Sequence, residues 1–125
     1  MIDVVAALIQ EQDRFLLCQR PCHKARGLKW EFPGGKIEKG ETPEQAIIRE
    51  CSEELDIELS VQGTAAMTLH HYPDISICLT LLRCTIISGT PKLKEHIACA
   101  WLSPVEAVAY DLAPADRELL QMISF

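Results

Sequence analysis

The chain has 125 residues, 48% of them hydrophobic and 24% charged, and residues 1–125 are expected to form one globular domain. A formal net charge of −6 excludes broad electrostatic binding to nucleic-acid polymers, and the longest early apolar run, residues 4–9, is too short to span a bilayer. Six cysteines with no CxxC pair and no secretion-signal pattern are expected to be reduced thiols of a cytoplasmic protein. Five of them lie in apolar or periodic stretches and Cys22 in a loop.

In chain order, residues 4–9 and 15–19 read as strands joined by the polar turn Glu11-Gln12-Asp13. Residues 21–29 read as a loop. Trp30-Glu31-Phe32 then runs into Pro33-Gly34-Gly35, a kink that only glycine allows cheaply. A helix is expected over residues 43–55: Thr42 is its N-cap, Pro43 opens the first turn and Gln45 reaches back to close a capping box. Asp56 stands where glycine usually ends a helix, and aspartate tolerates the left-handed conformation better than most residues. Strands are expected at 65–71, 75–87 and 97–102. Two short helices follow, over 104–110, opened by a second capping box from Ser103 to Glu106, and over 116–124. Strands interrupted by a few helices indicate the α+β class.

Charge is unevenly spread. Residues 14–30 carry five positive charges and no acid, whereas residues 31–58 carry nine acids against three positive charges. A basic stretch running into an acid cluster suits a site that holds a polyanion through metal ions. On a wheel of about 100° per residue, Ile47, Ile48, Cys51 and Leu55 form a core-facing stripe on the first helix. Glu50, Glu53 and Glu54 fill the adjacent sector, where carboxylates three and four residues apart repel one another. Hard divalent cations remove that repulsion, because Mg²⁺ takes oxygen ligands from carboxylates, water and substrate phosphate.

The segment Gly35-x5-Glu41-x7-Arg49-Glu50-Cys51-x-Glu53-Glu54-x-Asp56-Ile57 resembles the 23-residue Nudix box, Gly-x5-Glu-x7-Arg-Glu-U-x-Glu-Glu-x-Gly-U with U aliphatic. Every charged position is present; Cys51 replaces an aliphatic residue and Asp56 the final glycine. Trp30 to Glu38 and Gly40 to Ala46 look like the MutT form of the box. Glu95 to Ser103 and Leu112 to Asp116 look like the bacterial CTP pyrophosphohydrolase branch.

The resemblance implies a Nudix-type α/β/α sandwich with a mixed central sheet, and an enzyme that cuts a nucleoside triphosphate to monophosphate and pyrophosphate. It implies Mg²⁺, with Mn²⁺ as a substitute, held by Glu50, Glu53, Glu54, Glu95 and the Gly34 carbonyl. Such metals neutralise phosphate charge and lower the pKa of an attacking water, which Glu50 or Glu53 orients or deprotonates. Arg49, paired with Glu41, is structural support. Arg20 falls at the triphosphate-binding position, Lys36 adds charge beside the glycines, and Glu31, Phe32, Pro33 and Gly34 complete the substrate-facing segment, with Phe32 against the base. His23, Lys24, Arg26 and Lys29 are expected to be solvated.

Asp116 falls where MutT reads 8-oxoguanine with an asparagine. Ionised, it only accepts and fits the N4 amino group of cytosine; buried and protonated, it also donates and fits 8-oxoguanine. Its other role would be to cap the last helix. The expected substrate is therefore an oxidised nucleotide such as 8-oxo-dGTP, with CTP or a 5-substituted dCTP as the alternative. No nucleic-acid polymer or membrane partner is expected, and the protein should be a monomer or small homo-oligomer. A non-catalytic Nudix-like nucleotide sensor is the alternative of another class; such modules usually lose the metal-binding glutamates, all of which are present here.

Overall fold

The computed structural model describes residues 1–123, and its elements follow in order as β1 (Ile2–Glu11), β2 (Arg14–Gln19), β3 (Trp30–Glu31), β4 (Gly34–Lys36), α1 (Pro43–Leu55), β5 (Glu58–His71), β6 (Ser76–Ser88), β7 (Ala98–Leu102), α2 (Pro104–Val108) and α3 (Pro114–Met122). β1 organises them. Val5, Ala7 and Ile9 enter one core and Ala6 and Leu8 a second, as the two-residue period of a strand requires. A strand buried on both faces needs no polar alternation, so its sequence reads as one apolar run.

The sheet order is β3-β2-β1-β6-β5, with β4 added to β1 and β7 to β2. β1 and β6 are parallel and the other pairs antiparallel, which makes the sheet mixed. α1 covers the face of Val5 through Ala46, Ile47, Cys51 and Leu55. The opposite face is covered by Ala107 of α2 and by Ala115 and Leu119 of α3. The α/β/α sandwich with a mixed central sheet is as expected, and none of its helices is long and apolar enough to cross a membrane.

Both capping boxes form: Thr42 Oγ1 accepts from Gln45 N at 3.1 Å while Gln45 Oε1 accepts from Thr42 N at 3.0 Å, and Ser103 and Glu106 repeat the exchange. Asp56 ends α1 in the left-handed conformation, φ 56° and ψ 40°. The helix stripe differs in one member. Ile48 is exposed and Ala46 is buried in its place. All six cysteines are free, with Cys18, Cys51 and Cys84 buried, and burial pushes the Cys84 thiol up to about 12.

Several boundaries moved. β5 starts at Glu58 rather than at 65, because register shifts flank Val61/Gly63 and Thr64/Ala66 and break the alternation that makes a strand legible. The segment around Pro33 is flanked by two short strands, since β4 lies against β1 with Gly34 opposite Ala6. A Cβ at Gly34 would run into the Val5 carbonyl oxygen, so only glycine permits that approach. α2 stops at Val108. α3 begins at Pro114, so Asp116 lies inside its first turn and does not cap it; the N-cap is Ala113, without a side-chain bond. The expected end of that helix at residue 124 lies outside the described residues.

Because Asp56 holds a positive φ at the end of α1, Asp56→Gly is expected to stabilise the protein by about 0.5–1 kcal/mol in urea unfolding, glycine carrying no Cβ penalty there. A loss of stability would show that the ion pairs of Asp56 with Lys92 and Lys94 outweigh the backbone term.

Candidate active site

A cleft of about 370 Å³ opens between β1, β4, the N-terminal end of α3 and the loop after β2. Gly34, Glu50, Glu54 and Glu95 line it, as do Arg20, Glu31, Phe32, Lys36 and Asp116. Most of the residues singled out from sequence therefore converge. Glu53, Glu41 and Arg49 do not line it, and Pro33 is buried behind it, its carbonyl accepting from Ala7 N at 2.8 Å.

Two glutamates of α1, Glu50 and Glu54, line the cleft. A Cβ on Gly35 would collide with the Glu50 carboxylate, so β4 forms a close backbone floor under that side chain. Glu54 is hydrogen-bonded to Glu50, and its Oε2 is buried without a partner. Desolvation, then the bond to Glu50 and the charges of Glu50 and Glu31, push the Glu54 carboxyl up to about 9. Glu53, one residue earlier on the helix, points out: its side chain is 61% exposed and lies 3.3 Å from Arg49 Nη1.

Arg49 ties these elements together. Its Nε and Nη2 grip the two oxygens of Glu41 at 2.7 and 3.0 Å, Nη1 donates to Glu50 at 3.0 Å, and Nη2 donates to the Lys36 carbonyl at 3.1 Å. The fork of arginine suits such bidentate pairing, and its bond to Glu41 holds that carboxyl below the usual range. Helix α1 is thereby locked to β4 beside the glycines.

Arg20 donates from Nε to the Ala25 carbonyl at 2.9 Å and from Nη1 to Glu31 at 3.0 Å. Lys24 pairs with Glu95 at the cleft mouth. Arg26 also lines the cleft, lying 4.1 Å over the Tyr72 ring and 2.9 Å from Asp74. The expectation of solvated basic loop residues holds for Lys24, which is exposed although ion-paired, and is corrected for Arg26, which is half-buried against Tyr72 and Asp74. Lys29 pairs with Asp111, and His23 is exposed.

Phe32 belongs to the core beside Phe15, with ring centroids 5.6 Å apart, and also lines the cleft. Its backbone N–H donates to Asp116 Oδ1 at 2.9 Å. Asp116 is buried, and desolvation, reinforced by the charge of Glu31, pushes its carboxyl well above the usual range. Sequence reasoning missed Tyr72, whose hydroxyl accepts from Ala115 N at 2.9 Å, and His96, which contacts Glu31; a lone tyrosine and a lone histidine carry no local signal.

The NUDIX domain model matches residues 1–123. The chain belongs to the Nudix family. It is 42% identical over 121 residues to the CTP pyrophosphohydrolase of Escherichia coli K12, spanning 97% of this chain and 90% of that one. It is 34% identical over 116 residues to the 8-oxo-dGTP diphosphatase of the same organism, spanning 93% and 90%. The crystal structure of the MutT NUDIX hydrolase from Burkholderia pseudomallei superposes with a TM-score of 0.89 at 25% identity, covering 98% of both chains.

Nudix hydrolases generally need divalent metal ions, and the donors here suit one. Among the described residues no three carboxylate, imidazole or thiol groups form a ready-made cluster, because Glu53 is turned to Arg49. Glu50 and Glu54, however, both line the cleft, with one buried Glu54 oxygen left without a partner, an arrangement a hard cation satisfies.

The raised Glu54 carboxyl has a stability consequence. The folded state holds a proton that the unfolded state releases above about pH 4.5, so metal-free stability falls as pH rises from there toward about 9. Glu54→Gln removes this slope. Its midpoint in thermal melts without metal should exceed that of the parent by several degrees near neutrality, the gap widening with pH; a gap independent of pH would refute the raised Glu54 carboxyl.

Proposed function

We propose that residues 1–125 work as one Mg²⁺-dependent nucleoside triphosphate pyrophosphohydrolase domain that removes base-modified nucleotides, 8-oxo-dGTP first among them. The observation that carries this reading is the cleft itself, which gathers Glu50, Glu54 and Glu95, the basic Arg20, Lys24, Arg26 and Lys36, and the buried Asp116. A nucleoside triphosphate calls for those three kinds of group: acids to hold a metal, cations for its phosphates and a polar side chain for its base. Cytoplasmic placement accords with the six free thiols.

Glu50, Glu54, Glu95 and the Gly34 carbonyl would hold the metal, with Glu53 joining once it leaves Arg49. The bound metal supplies charge neutralisation at the phosphates and a more acidic water. Arg20 turns its unpaired Nη2 edge toward the phosphates, while Nε and Nη1 are fixed by Ala25 and Glu31. Glu50 is the candidate for orienting and deprotonating the attacking water: of the two glutamates considered, it lines the cleft and Arg49 fixes its carboxylate. Phe32 packs against the base, and its amide orients the Asp116 carboxyl by donating to Oδ1, which keeps a second lone pair for the base alongside Oδ2.

The burial of Asp116 favours 8-oxo-dGTP. A protonated carboxyl donates to the O6 oxygen and accepts from N7–H of the oxidised base, the pairing an ionised one cannot make. A second reading, cytosine nucleotides, is favoured by the 42% identity to a CTP pyrophosphohydrolase and requires the ionised form, which accepts from N4.

Pyrophosphate release from 8-oxo-dGTP, dGTP, CTP, dCTP and 5-substituted dCTP, with and without Mg²⁺, tests both readings. As pH rises through the elevated Asp116 value the donor is lost, so kcat/KM for 8-oxo-dGTP relative to dCTP should fall. Asp116→Asn, which donates and accepts at any pH, should flatten that ratio. Preference for cytosine nucleotides at neutral pH would transfer the protein to the second reading. Glu50→Gln should lower turnover on the order of 10²–10³-fold while nucleotide binding survives; undiminished turnover would remove Glu50 from the chemistry.

A further inference from the structure

The described residues bury three polar or charged groups: Thr68, His96 and Asp116. Thr68 is satisfied by Glu118 at 2.6 Å, and Asp116 holds the Phe32 amide. His96 has no part in the chemistry above, yet its side chain is 5% exposed. Its Nε2 lies 3.0 Å from Glu31 Oε2, while Glu31 Oε1 accepts from Arg20 Nη1 at 3.0 Å. A carboxylate only accepts, so His96 Nε2 carries the hydrogen. Its Nδ1 is buried without a partner.

Three strands create this chain of contacts. Glu31 pairs with Cys18 across β2 and β3, and Cys99 pairs with Cys18 across β2 and β7. Arg20 follows directly on β2, and the residue after His96 donates its backbone N–H to the Gln19 carbonyl at 3.1 Å. Stability does not explain the arrangement. Buried ionic chains are often matched or exceeded by apolar replacements, and an orphaned ring nitrogen adds a further cost. What the chain achieves is orientation: both Glu31 oxygens are occupied, and Arg20, which lines the cleft, is held at Nε and Nη1 while Nη2 takes no part in these bonds.

We propose that His96 is a positioning residue that, by anchoring Glu31, presents the open edge of Arg20 to the phosphate chain of the substrate. The inference rests on the reading of the cleft as a triphosphate site, and direct binding separates the two. Inorganic tripolyphosphate with Mg²⁺ is titrated calorimetrically into the parent protein, Arg20→Ala, His96→Phe, His96→Asn, His96→Gln and the Arg20→Ala/His96→Phe double variant. The amide of glutamine reaches the place of Nε2 and that of asparagine does not. His96→Phe and His96→Asn are each expected to weaken binding about tenfold, and His96→Gln to recover it to within about threefold, the scale of one charge-assisted hydrogen bond. The double variant should be no weaker than Arg20→Ala.

Unchanged binding in His96→Asn, equal losses in the asparagine and glutamine variants, or losses that multiply in the double variant would each overturn the positioning role. So would absence of tripolyphosphate binding by the parent protein. If the parent binds tripolyphosphate but releases pyrophosphate from no nucleotide, the proposed activity fails while the role of His96 is decided by the variants. Should His96→Phe not fold, the asparagine and glutamine pair carries the comparison.

Discussion

Two absent side chains set the geometry on which the cleft depends. Gly34 lets β4 lie against the backbone of β1, where any Cβ would strike the Val5 carbonyl, and Gly35 leaves the space that the Glu50 carboxylate fills. The strand is three residues long and would hold little by itself. It is kept in place because Arg49 reaches from α1 to the Lys36 carbonyl while gripping Glu41 and Glu50. Steric permission and a bidentate ion pair together fix the helix, the floor beneath it and the acids between them.

That closeness forces like charges into a confined space. Glu50, Glu54, Glu31 and Asp116 all line one cleft, and burial makes ionising them together expensive, so Glu54 and Asp116 retain protons above their ordinary range. The two apolar cores on either face of β1 supply the stability that tolerates such a site. Glu31 lies between the two protonated groups in electrostatic terms, raising both, while its own oxygens are held by Arg20 and His96. One carboxylate thereby binds Arg20 and His96 directly and acts through its charge on Glu54 and Asp116.

Much of this was legible before any coordinates. α1 announced itself through its capping box and Pro43, and both its ends fell where the residues indicated. The Arg49–Glu41 pair was implied by the resemblance to the Nudix box and is present. β5 was harder, because bulges around Gly63 shift its pattern, and the start of α3 was hidden because Ala113 caps it without a side-chain bond. The glutamate sector on α1 was visible as a sector, but which members face the cleft was not: a wheel gives direction about an axis, whereas Arg49 draws Glu53 outward and the β4 floor receives Glu50.

By itself the sequence determined the elements whose signals are local: strand and helix periods, caps, the glycine pair and the spacing of acids along one helix. It thereby also identified the family. Tertiary structure alone decided the upward shift of the Glu54 and Asp116 carboxyls, the recruitment of Lys24 and Arg26 to the cleft wall, and the contact of His96 with Glu31. Each depends on desolvation or on partners far away in the chain, and neither leaves a periodic trace in the residues themselves.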